Sequence, residues 1–94
     1  MTSAETLATE AARLREVVGR QLPKIRRIVE RNPAAARPAF EVIQGMVDAI
    51  LYTIEAHREG FEACRDDPAH LDVEHALSAM TAELRWLADV LTPE

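Results

Sequence analysis

Ninety-four residues support one domain at most, spanning 1–94, and a chain of this size buries only about 60–65% of its unfolded surface. Sixteen alanines and four aromatic residues leave the core to Leu, Ile, Val and Ala, a helix-forming composition. One cysteine excludes an internal disulfide, no apolar run is long enough to cross a bilayer, and no signal-peptide pattern opens the chain, so the expected compartment is the cytoplasm.

The net charge of −5 is unevenly spread, because residues 1–37 carry eight basic and four acidic side chains while residues 38–94 carry three and twelve. Opposite halves of +4 and −9 favour complementarity within a subunit or between subunits over an external polyion.

The chain opens on Thr2-Ser3-Ala4-Glu5, which has capping-box spacing and predicts a helix start. Leu7, Ala11, Leu14, Val18, Leu22, Ile25, Ile28 and Val29 hold a helical phase from there to Asn32. Pro23 falls inside this run and sets its ring against the carbonyl of Gly19. Continuous phase on both sides predicts one helix over 3–31 kinked at Pro23, with a break at Gln21-Leu22 as the alternative. Asn32-Pro33 reads as a stop, and Pro38 as the first turn of the next helix.

That central helix, over 38–65, is the expected strut of the domain and shows two seams. Phe40, Ile43, Val47, Ile50, Ile54, His57, Phe61 and Cys64 alternate threes and fours along one stripe. Val42, Met46, Ala49, Thr53, Ala56, Gly60 and Ala63 form a second stripe of mostly small residues about 100–110° away. Glu41, Asp48, Glu55 and Glu62 recur every seven residues as an acidic ridge. Asp66-Asp67-Pro68 then supplies a cap and a first-turn proline, with Asp72 and a Leu71 staple as a second candidate start. The third helix, over 68–91, carries Val73, Leu77, Met80, Leu84, Leu87 and Leu91, with a weaker stripe of Ala79, Ala82, Trp86 and Val90.

Motifs for chemistry are sparse. There is no nucleophile beside a base, no phosphate-binding glycine loop and no Cys-x-x-Cys or His-Glu-x-x-His, so no catalytic residue and no cofactor is assigned. His57 and Cys64 are the candidates for a metal or small ligand in a bundle core, and Asp67-x-x-His70 and Asp72-x-x-His75 have one-turn spacing that capping also explains. Histidine phosphotransfer domains need a Lys three residues after their His, whereas His57 is followed by Arg58-Glu59-Gly60. Helical chorismate mutases point arginines into the bundle, whereas the basic residues of the first helix here lie away from its seam. Arg13, Arg20, Lys24, Arg27 and Arg31 make a basic ridge able to contact a polyanion, without interleaved aromatics to read nucleic acid.

The expectation is therefore an all-α protein, either a three-helix up-down-up bundle or a helical protomer that completes its bundle by dimerising. Its expected function is non-catalytic protein–protein interaction as an adaptor, regulator or assembly subunit, with a homodimer as first partner and a heterologous protein as second. Phe40, Val47, Ile50, Ile54, Phe61, Trp86, Leu87 and Val90 are the candidate interface. Nucleic-acid-associated regulation through the basic ridge, and ligand binding around His57, are the alternatives.

Overall fold

The computed structural model describes residues 3–63 and 65–92, and its described secondary structure is helical. The Thr2 half of the capping box and Cys64 fall outside the described residues. Five α-helices follow one another: α1 (Ser3–Glu16), α2 (Leu22–Arg31), α3 (Ala36–Ala56), α4 (Arg58–Ala63) and α5 (Pro68–Leu91).

A π-helical turn, Val17–Gln21, joins α1 to α2 without an extended residue between them. Pro23 stands in the first turn of α2, directly after this wide turn. The backbone N–H of Leu22 donates to the Val17 carbonyl, a bond one residue longer than an α-helical one. The apolar spacing explains the device. Leu14, Val18 and Leu22 follow at intervals of four and four, which drift by about 80° on a regular helix. One extra residue in the turn returns Leu22 to the side of Leu14, and both are buried. Ile28, assigned to this seam from its spacing, lies outside it and is 56% exposed.

Asn32 is extended, as a residue before proline prefers, and a 3-10 turn, Pro33–Ala35, starts α3 two residues before the expected Pro38. The largest departure is at His57. A single helix over 38–65 is expected, but α3 ends at Ala56, His57 leaves helical geometry (φ −118°, ψ 31°), and a separate α4 packs against α1. Tertiary packing is the reason. The bend sets the Phe61 ring 3.9 Å from that of His70 on α5, centroid to centroid. The Thr53 hydroxyl also donates to the Ala49 carbonyl, a back-bond that favours helix bending. His57 is thus an exposed helix end and not a residue of the bulky seam.

The third helix starts at Asp67, whose carboxylate accepts from the Ala69 backbone N–H at 2.9 Å, with Pro68 in the first turn. Leu71 is 53% exposed, so the alternative start at Asp72 with a Leu71 staple is not used. One core runs the length of the molecule, with Leu14, Ile43, Met80, Leu87 and Val29 its largest fully buried side chains. α5 packs against both α1 and α3. Arg15 pairs with Asp72 at 3.6 Å and Arg26 with Glu83 at 2.7 Å, tying the first helical span to α5 at two points. Among the described residues no helix is long and apolar enough to cross a membrane.

Candidate interaction surface

Every residue chosen as interface from the sequence packs on the subunit's own core. Val47, Ile50 and Leu87 are buried, and Phe40, Ile54, Phe61, Trp86 and Val90 are half-buried against them. The bulky seam of α3 is therefore filled from within, because α5 lies along it. Trp86 has a local partner: the Arg26 guanidinium sits 4.4 Å from its ring centroid while donating from Nε to the nearly buried Glu83 carboxylate. Glu83 sits in the core only because this cation accompanies it.

The exposed apolar surface lies on the opposite side of α3. Pro38, Val42, Gly45, Ala49, Tyr52 and Ala56 alternate fours and threes, so they form one row along the helix. All six are exposed, and none is charged. Val42 is 58% exposed, Tyr52 78% and the adjacent Leu51 50%, high values for large apolar or aromatic side chains. Nothing lies within 4 Å of the position a Gly45 Cβ would take. Glycine in a helix interior is about 1 kcal/mol less favourable than alanine. No neighbour inside the subunit requires its absent side chain.

Charge lines this row. Glu41, Asp48 and Glu55 are exposed along one edge, with Asp48 accepting from Gln44 at 2.9 Å and Glu55 3.9 Å from Arg58. Glu62, the fourth member of the expected ridge, is carried away on α4 and pairs with Arg65. The basic ridge is divided as well. The π turn displaces α1 relative to α2 by about one residue, roughly 100°. Arg13 and Arg20 are engaged by Glu10 and Glu16 on their own span, at 3.7 Å and 3.2 Å. Lys24, Arg27 and Arg31 share the outward side of α2, are exposed, and make no ion pair among the described residues.

The histidines separate. His75 is exposed, and His70 is buried with Nε2 3.0 Å from Glu74 and Nδ1 without a hydrogen-bond partner. His57 lies at the rim of a cleft of about 100 Å³ whose walls include Leu7, Ile50, Ile54, Phe61 and Val73. Among the described residues no three His, Cys, Asp or Glu side chains converge as a metal site.

Two of these features are legible in the sequence once the core is known: the uncharged rhythm on α3 and the unpaired cations of α2. Ile28 reads as core because an apolar side chain in helical phase does so, whereas the exposed Leu51 and Tyr52 fall in neither stripe of the central helix. Comparison with protein-family models, with curated proteins and with solved structures finds no match for this chain.

Proposed function

We propose that this chain is a non-catalytic helical interaction module: three spans running up, down and up that complete their burial by pairing with a second copy in a twofold dimer in the cytoplasm. The observation that carries the reading is the exposed, uncharged row on α3, a helix face left uncovered by the described residues. Small residues at its centre suit it to close approach by another helix.

Surface area supports the same reading. A compact monomer of 10.5 kDa exposes about 5,400 Å², whereas this chain exposes 6434 Å². The surplus of about 1,000 Å² is comparable to the roughly 800 Å² that each partner contributes to a standard interface. The radius of gyration, 14.7 Å, likewise exceeds the roughly 12 Å of a compact chain of this length.

Ligand binding at the His57 cleft is the weaker reading on magnitude alone, since about 100 Å³ is a third of the smallest volume typical of small-molecule sites. Light scattering behind size-exclusion chromatography tests the dimer. The unmodified chain is expected to run at twice its monomer mass at micromolar concentration. Ala49→Glu, a charge in the middle of the row, is expected to return it to monomer mass with unchanged helicity. A wild-type chain that stays monomeric while fully helical removes the reading.

A further inference from the structure

Resting on that self-association, we infer that the helix covering the α3 row is α2 of the second copy, packed antiparallel and held in register by Lys24, Arg27 and Arg31 against the partner copy's acidic edge. Charge complementarity carries the inference. Among the described residues the three α2 cations have no carboxylate partner, and Glu41, Asp48 and Glu55 line the exposed, uncharged row of α3. The acidic edge extends about 21 Å, enough to receive three cations spread over about 10 Å of α2. A net charge of −5 disfavours an external polyanion as their partner.

Handedness gives the orientation. Viewed from the N-terminus of α2, its cations lie counter-clockwise of the exposed Ile28; viewed from the N-terminus of α3, its carboxylates lie counter-clockwise of Val42, Gly45 and Ala49. Two helices carrying the same order of charged and apolar edges match charge to charge, and apolar to apolar, only when antiparallel. Within the subunit α2 and α3 are joined by the four residues 32–35, and α4, which follows α3, packs on α1. A twofold axis parallel to these helices therefore lays each α2 antiparallel on the other copy's α3, twice per dimer. Ile28 then packs on the small residues beside Gly45.

Charge reversal tests this without touching the core. One chain carries Lys24→Glu, Arg27→Glu and Arg31→Glu; the other carries Glu41→Lys, Asp48→Lys and Glu55→Lys. Three exposed pairs on each side of the axis, each a factor of roughly two, make the loss about sixtyfold in the dimer dissociation constant. Each reversed chain is expected to sediment as a monomer near the wild-type dissociation constant, and an equimolar mixture to form a heterodimer. If either triple variant loses helicity by circular dichroism, Arg27→Glu paired with Asp48→Lys is measured in the same way. A wild-type dimer that survives either reversal, or reversed chains that stay monomeric when mixed, overturns the α2–α3 pairing and leaves self-association standing. A wild-type chain monomeric at every concentration overturns both.

Discussion

The contact that joins α2 to α5 offers a sharp test of the packing, because its members have opposite expected behaviour when removed singly and together. Glu83 is 7% exposed, and its carboxylate is held at 2.7 Å by Arg26, whose guanidinium covers Trp86. Arg26→Ala removes the hydrogen bond and the cation over the ring, and leaves a carboxylate in the core with no partner. A charge-assisted hydrogen bond contributes about 1.5–3 kcal/mol, a half-exposed cation–π contact about 0.5–1 kcal/mol, and breaking a fully buried pair costs about 3–5 kcal/mol. Arg26 keeps 44% of its side chain in water, so the lower part of these ranges applies and the expected loss is about 2–3 kcal/mol. For a domain this small that loss corresponds to roughly 10–20 °C in melting temperature. Replacing both partners with apolar residues of similar volume, Arg26→Met with Glu83→Leu, removes the buried charge and its need together. That double variant is expected within about 1 kcal/mol of wild type. Urea unfolding followed by circular dichroism, at one fixed protein concentration because association adds to stability, measures all three chains. If Arg26→Ala lies within 0.5 kcal/mol of wild type (on the order of a surface substitution), or if the double variant is as unstable as the single, the core placement of Glu83 is refuted.

Other substitutions probe the remaining elements. Met80→Ala opens the centre of the core, where Met80 is 0% exposed, and is expected to cost about 2–5 kcal/mol in the same unfolding assay. Asp67→Ala removes the acceptor for the Ala69 N–H and is expected to cost about 1 kcal/mol, whereas Asp72→Ala removes only the exposed pair to Arg15 and is expected to cost under about 1 kcal/mol. Equal losses for the two aspartates would contradict the helix start at Asp67. Gly45→Ala, in open space, is expected to stabilise the isolated subunit by about 0.5–1 kcal/mol, and Gly45→Leu to weaken the dimer while leaving the melting temperature of dilute protein no lower.

What the sequence made legible follows local physics, and what it concealed is tertiary. The four- and three-residue spacings of Ile43, Val47 and Ile50, and the seven-residue spacings of Val73, Met80 and Leu87, mark core faces because burial follows helical period. Asp67-Pro68 marks a helix start because a cap and a first-turn proline act within one turn. The end of α3 at His57 has no such local mark. It depends on Phe61 meeting His70, a contact the fold alone creates. The π turn reflects the need to bring Leu14 and Leu22 to one side, which the four-and-four spacing hints at and Pro23 obscures. Arg26 and Glu83 are 57 residues apart, so neither signals the other, and the role of Trp86 beneath them was beyond reach of periodicity. Two apolar seams on the central helix were visible; that α5 covers the bulky one, while Val42, Ala49 and Ala56 of the small-residue one stay exposed and Met46 packs on the core, was not.

Pairing of two copies through the uncharged outer row of α3 is read out by sedimentation equilibrium of the unmodified chain across a concentration series. A mass of twice 10.5 kDa is expected at micromolar concentration, falling toward one chain on dilution and on raising the salt. A helical chain that holds the single-chain mass throughout the series would contradict it.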